Sequence, residues 1–346
     1  MRHSFSLSIG SDRTIRGDVW LPPVAINPSH PTSSNSDVYA NGILIIAHGF
    51  KGFKDWGMFP YTAAQLAERT GMVTITFNFT FNGVGEELTI FDEPERFAVN
   101  TYAREQEDLS ALTTAVRSKH FQQWLEELAT AKADVTRVQI AYHLPPTCAL
   151  PPKDEKAEND EIAAKAAAAI VPIYLLGHSR GGASCILFAL EHPSLVSGVI
   201  SWNGVTNVDL FSAQQKEELL TSGRSQVLNA RTGEALPLDS IVLQDLAANK
   251  ERYDIINRIK DAAYPLLLVQ GSEDLPGFRE GSARLVANYS GTEWATIEGG
   301  THTFQAVHPF QGTTPELEAA IGTTARWLQE QHANANANAN ANANAK

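Results

Sequence analysis

Near-continuous apolar runs alternate with helix-period segments along most of the chain. Ile43 to Ala47, Met72 to Phe79, Ile173 to Leu176, Val196 to Trp202 and Tyr264 to Gln270 are aliphatic, β-branched or aromatic almost throughout, the pattern of strands covered on both faces. Trp294 to Ile297 makes a shorter run of the same kind. Between them, residues 60–69, 102–117, 183–190 and 315–331 repeat apolar positions at helical spacing, with Leu109, Leu112 and Val116 on one face and Leu317, Ile321 and Leu328 on another. Residues 4–9 and Thr14 to Leu21 alternate instead, and Gly10 to Arg13 supplies a turn, so an antiparallel hairpin is expected at a sheet edge. The pattern predicts an α/β protein with a mostly parallel, eight-stranded sheet flanked by helices.

Several stretches break the rhythm. Pro22 to Asn41 is rich in Pro, Ser, Asn and Thr and reads as a surface loop, as do residues 81–99. Residues 118–168 read as an insertion, with a helix around Phe121 to Leu128, two Pro-Pro patches and a charged, Ala-rich run whose middle is expected to be mobile. Residues 207–262 hold short helical patterns and no convincing strand, which predicts a helical cap. The Ala-Asn repeat at 333–346 has no apolar face and is expected to be disordered, leaving residues 1–332 as one domain.

Composition narrows the partners. The 346 residues are 43% hydrophobic and 19% charged, ordinary for a globular chain, and the formal net charge of -12 opposes nucleic acid and anionic membrane. No apolar stretch reaches the roughly 18 residues of a transmembrane helix, and the N-terminal residues alternate rather than forming a secretory apolar core, so a cytoplasmic protein is expected. Cys148 and Cys185 have no metal-ligand spacing, and neither a metal nor a cofactor is called for. Cys185 reads as a small buried apolar residue. Oligomeric state is not readable.

Chemistry enters where the run Ile173 to Leu176 meets Gly177-His178-Ser179-Arg180-Gly181 and an apolar helix follows. Strand, Gly-X-Ser-X-Gly and helix form the context of a nucleophile elbow, with Gly177 and Gly181 small so that strand and helix can approach. A serine hydroxyl needs a base, and the base an orienting acid, from loops at other strand ends. Asp274 follows the strand ending at Gln270, and His302 follows the one ending at Ile297. Glu273 and Asp209 are the rival acids and His308 the rival base, whereas His48 and His178 read as packing groups. An oxyanion needs two N–H donors, and the backbone amides of Arg180 and of Phe50, in His48-Gly49-Phe50 after the strand Ile43 to Ala47, fit that need. Phe50, Phe53, Trp56, Phe59, Trp202, Asn203 and Phe304 flank strand ends and are candidates to line an apolar substrate pocket. Lys51, Lys54 and Arg180 are either partners for a substrate carboxylate or solvated charges.

Taken together, these residues resemble the α/β-hydrolase superfamily from the first hairpin to the closing helix. His48-Gly49-Phe50-Lys51-Gly52, Gly177-His178-Ser179-Arg180-Gly181-Gly182 and Gly271-Ser272-Glu273-Asp274 are similar to the branch of dienelactone hydrolases, acyl esterases and serine-aminopeptidase-like or prolyl-oligopeptidase-like hydrolases. The resemblance implies the α/β-hydrolase fold, with Ser179 as nucleophile, Asp274 as acid, His302 as base and Phe50 with Arg180 as oxyanion donors. It implies hydrolysis of a small-molecule ester through an acyl-enzyme, with an amide- or peptide-cleaving enzyme and a non-catalytic ligand-binding protein as alternatives. Ser179 departs from the cysteine of familiar dienelactone hydrolases and from the carboxylate nucleophile of dehalogenases and epoxide hydrolases.

Overall fold

The computed structural model describes residues 1–23, 41–130, 137–140, 171–229 and 233–344. In chain order the strands are β1 Arg2–Ile9, β2 Arg13–Trp20, β3 Ile43–Ala47, β4 Val73–Asn78, β5 Arg137–Ile140, β6 Ile173–His178, β7 Gly198–Trp202, β8 Arg224–Leu228, β9 Ala235–Asp239, β10 Leu266–Gly271 and β11 Thr292–Ile297. The helices are α1 Phe59–Thr70, α2 Pro94–Ala98, α3 Tyr102–Arg117, α4 Lys119–Thr130, α5 Arg180–Glu191, α6 Ala213–Ser222, α7 Ile241–Ala248, α8 Ile255–Arg258, α9 Pro276–Asn288 and α10 Pro315–Asn344.

One sheet runs in the order β11-β10-β7-β6-β3-β4-β2-β1-β5. From β11 to β4 every pairing is parallel, and β2 is antiparallel to both β4 and β1. Both faces are covered, which is why β3, β4, β6, β7 and β10 are buried at every position and mostly apolar. Ile43, Ile45 and Ala47 of β3 join a core with α3, α4, α5 and α9, while Leu44 and Ile46 join one with α1, α10 and the cap. Strand order puts β6 between β3 and β7, so loops from both neighbours can flank whatever stands at its carboxyl end.

All eight predicted strands lie in this sheet, and the insertion adds a ninth. β5 pairs in parallel with β1, Ser4 opposite Arg137, as four residues inside a polar segment that carried too short a pattern to read. The expected mobility of the insertion falls on residues 131–136 and 141–168, outside the described residues. The predicted cap holds the short helices α6, α7 and α8, and it also contains β8 and β9, an antiparallel hairpin that was not expected. Pro237 disguised β9, yet Leu236 and Leu238 on either side are buried, and β8 is largely exposed. The tail, expected to be disordered, continues α10 as far as Asn344. Packing of Leu317, Ile321 and Leu328 starts that helix, and alanine, the best helix former, propagates it where nucleation is no longer required. No helix among the described residues is long and apolar enough to cross a membrane.

Charge is buried at the sheet's polar edge, where Arg13 of β2 pairs with the buried Asp108 and a second set forms around Lys54. Lys54, in the loop after β3, is almost fully buried and pairs with Asp18 of β2 and with Asp55, while Arg2 and Ser4 of β1 also donate to Asp18. This replaces both readings of Lys54 from the sequence: it meets neither solvent nor a substrate. Removing the ammonium leaves Asp18 buried with fewer donors. Lys54→Met should therefore destabilise the fold by about 2–4 kcal/mol, read as a lower urea midpoint, and Asp18→Asn in the same background should recover part of the loss.

Candidate active site

β6 ends at His178 and α5 begins at Arg180, so the reversal falls on one residue. Ser179 has φ 56° and ψ -120°, a left-handed conformation that costs a non-glycine residue of order 1–3 kcal/mol. Its amide donates to Trp202 O at 2.9 Å, and its carbonyl accepts from Gly182 N–H at 3.0 Å and Val205 N–H at 3.1 Å. Gly177 permits the contact of strand and helix: a Cβ there would stand 2.1 Å from the Gly181 carbonyl oxygen. The hydroxyl-bearing residue is thus displayed at the carboxyl end of the sheet by backbone geometry alone.

Two loops bring an acid and a base together. His302 Nδ1 lies 2.8 Å from Asp274 Oδ1, and because a carboxylate can only accept, Nδ1–H is the donor. Asp274 is almost wholly buried and also accepts from Leu275 N–H at 2.8 Å and Gln270 Nε2 at 2.6 Å. The His302 side chain is 32% exposed. Its carbonyl accepts from His178 Nε2 at 2.7 Å, which ties the histidine loop to the residue just before Ser179. The rings of His178 and Phe278 flank that of His302 at 5.0 and 5.3 Å.

The rivals lie elsewhere. Glu273 is exposed, and Asp209 pairs with Lys216 in the cap and caps the Phe211 amide. His308 accepts from Gly57 N–H at 3.0 Å and stacks on Trp56.

The loop after β3 comes up against the elbow. A Cβ on Gly49 would stand 3.0 Å from both His178 O and Ser179 Cβ, so glycine allows this approach. His48 Nδ1 donates to Gly49 O at 2.9 Å, and Nε2 accepts from Phe79 N–H and Asn82 Nδ2, each at 3.3 Å. Burial lowers the basicity of this imidazole to a pKa of about 4. Lys51, at φ 57°, donates through Nζ to Leu228 O of the cap hairpin.

Arg180 is the first residue of α5, where an amide has no acceptor within its own helix. Its side chain turns inward. Nε donates to Glu105 Oε1 at 2.8 Å, and Cζ lies 3.9 Å from the Tyr102 ring centroid and 5.6 Å from that of Phe50. Glu105 is buried too, accepting from Asn100 Nδ2 at 2.9 Å and from Ser184 Oγ. The Arg180 charge is therefore balanced internally rather than left for a substrate carboxylate or for water. Glu105 gave no signal in the sequence beyond its place on the inward face of α3.

The pocket expectation needs correction. Phe53, Trp56, Phe59, Trp202, Asn203 and Phe304 are all buried, and Trp202 points its Nε1 to Thr324 Oγ1 of α10 at 2.9 Å. Phe304 packs edge-on against Trp202, and Phe53 and Trp56 enclose His308. These side chains support the loops instead of forming an open wall. Phe50 is half-buried and meets Phe97 and the cap residue Phe211 at ring separations of 5.2 and 6.5 Å.

With this sheet order and elbow, the fold is that of the α/β hydrolases. No protein-family model matches the sequence, and comparison with curated proteins finds no match. Solved structures do match. Est1E from Butyrivibrio proteoclasticus is 16% identical with a TM-score of 0.57, over 96% of this chain and 99% of its own. A putative hydrolase from Agrobacterium vitis is 15% identical with a TM-score of 0.57, over 95% and 98%. A monoacylglycerol lipase from Paleococcus ferrophilus is 13% identical with a TM-score of 0.54, over 92% and 99%.

The buried His48 sets a pH dependence. Its folded pKa of about 4 lies below the 6.5 of a free imidazole, so the unfolded chain binds the proton first. Stability is then full above pH 6.5 and is lost as pH falls from about 6.5 toward 4, by up to about 3 kcal/mol from this residue. His48→Gln, which cannot titrate, should show a shallower loss of urea midpoint across that window; an unchanged slope would contradict the assignment.

Proposed function

We propose that this chain is a serine hydrolase that cleaves carboxylic esters of small or medium size through an acyl-enzyme. The observation that carries the reading is the 2.8 Å contact of His302 Nδ1 with the buried Asp274, in a loop hydrogen-bonded to the residue preceding the strained Ser179. Ser179 Oγ attacks the acyl carbon as His302 Nε2 takes its proton. Asp274 keeps the imidazole in the Nδ1–H form and offsets the charge it gains. The backbone amides of Phe50 and Arg180 receive the oxyanion, aided by the positive end of α5. His302 then gives its proton to the leaving alcohol, the C–O bond breaks, and water repeats the sequence to release the acid and free Ser179.

The half-buried Phe50 supplies apolar surface within the oxyanion loop, with the buried Phe97 and Phe211 packed against it, and Lys51 of the same loop is tied to the cap. Such surroundings suit a neutral acyl group. The same machinery acts on amides, and relative rates decide between the two.

A fluorophosphonate probe should label the protein and leave Ser179→Ala unlabelled. On short acyl esters Ser179→Ala should lose at least about 10³-fold in kcat, and Asp274→Asn about 10² to 10⁴-fold, while Asp209→Asn stays within about twofold. Absence of labelling would exclude a serine nucleophile, and turnover of aminoacyl amides faster than esters would assign a peptidase instead.

A further inference from the structure

Asn203 was a candidate pocket residue in the sequence, and the structure gives it no exposed surface at all. It follows directly on β7 at φ 47°, a conformation that asparagine tolerates better than most residues. All its hydrogen-bonding capacity is spent. Oδ1 accepts from Gly271 N–H at 2.7 Å and Gln270 Nε2 at 3.0 Å, and Nδ2 donates to Thr301 O at 3.1 Å and His302 O at 3.0 Å. The amide's orientation is unambiguous, because a peptide N–H can only donate and the two carbonyls can only accept.

The partners define what the residue spans. Gln270 and Gly271 end the strand that carries Asp274, and Thr301 and His302 belong to the loop after the next strand. Gln270 uses its other Nε2 hydrogen on Asp274 Oδ2 at 2.6 Å, and its Oε1 is held by Ser282 Oγ of α9 at 2.7 Å. A closed circuit results: Asn203 to the His302 peptide, His302 ring to Asp274, Asp274 to Gln270, and Gln270 back to Asn203. Asn203 also donates its own amide to Val269 O at 3.0 Å, so the bracket is fixed to β10 at its base.

We propose that Asn203, acting with Gln270, is the positioning residue of the acid and base pair, holding the His302 peptide at a set separation from the strand end that bears Asp274. The inference rests on the reading of Ser179, Asp274 and His302 as the reacting set. Backbone bonds and the contact of Gly299 N–H with Ser272 Oγ at 2.8 Å also join the two loops, and His178 Nε2 also meets the His302 carbonyl, but Asn203 is the side chain from a third strand end that bonds both Gly271 and the His302 peptide. A shift of about 1 Å in a catalytic group is enough to cost roughly 10²-fold in rate.

Asn203→Asp tests this with little change of size. Both acceptor bonds persist, but two donors become an oxygen facing the Thr301 and His302 carbonyls. With an ester substrate, kcat should fall roughly 10²-fold while KM stays within about threefold. Because the residue acts through Asp274, Asn203→Asp combined with Asp274→Asn should be no more than about threefold slower than Asp274→Asn alone. Gln270→Met, which keeps its length and loses the Asp274 contact, should lower kcat about tenfold, and serves if Asn203→Asp does not fold. The far-downfield proton resonance of His302 Nδ1–H should shift or broaden in Asn203→Asp, an effect a purely structural role would not produce. A near-wild-type kcat, a KM effect without a kcat effect, or full additivity with Asp274→Asn would overturn the proposal. If the wild type shows no Ser179-dependent turnover, the catalytic reading fails instead, and an unmoved Nδ1–H resonance in Asn203→Asp would then sink the positioning role independently.

Discussion

The left-handed backbone of Ser179 is the constraint on which this molecule's site depends. No side-chain interaction produces it. A strand and a helix that approach closely enough to exclude a Cβ at Gly177 leave one residue to reverse the chain, and that residue must adopt φ 56°. The strain is sustained because three backbone hydrogen bonds tie Ser179 to Trp202, Gly182 and Val205, and because β6 is buried throughout and α5 is buried from Arg180 to Ala189. Relaxing the elbow would mean unpacking β6 from β3 and β7.

Around that fixed point, polar groups are buried beside partners of complementary charge or hydrogen-bonding character. Arg180 with Glu105, Lys54 with Asp18, and Asn203 with Gln270 each stand at the end of, or beside, a wholly buried strand. Burying such groups singly would be costly, and the cost is offset only where donors and acceptors are matched. Each set braces a different loop: Lys54 the one after β3, Arg180 the start of α5, Asn203 the two that carry Asp274 and His302. The loops that a hydrolase would need to hold still are thus each tied by a buried polar side chain. Apolar support follows the same arrangement, with Trp202 and Phe304 packed beneath the histidine loop and Phe50 between the elbow and the cap.

What could be read from the sequence was what is local or periodic. The elbow is a contiguous motif, and Asp274 and His302 stand a few residues beyond apolar runs, so strand ends located them. Asn203 was noticed for the same reason and misassigned, because only the three-dimensional meeting of β7, β10 and the His302 loop shows its four partners. The aromatic residues at strand ends were equally ambiguous, since burial and lining have one signature in sequence. Glu105 looked like any charge on a helix until Arg180 was seen to reach it from 75 positions away. The cap hairpin was hidden by Pro237 and by the exposure of β8, and the helical tail by a repeat whose order is inherited from the packed turns before it.

The central claim is that Ser179 forms a covalent bond to the acyl group. Its most direct test is intact-protein mass spectrometry after millisecond quenching in acid with an activated ester, followed by peptide mapping of any adduct. The account predicts a mass increase equal to the acyl group on the peptide containing Ser179, lost on longer incubation as water completes the cycle. Steady hydrolysis with no adduct at any quench time, or an adduct on another residue, would contradict it.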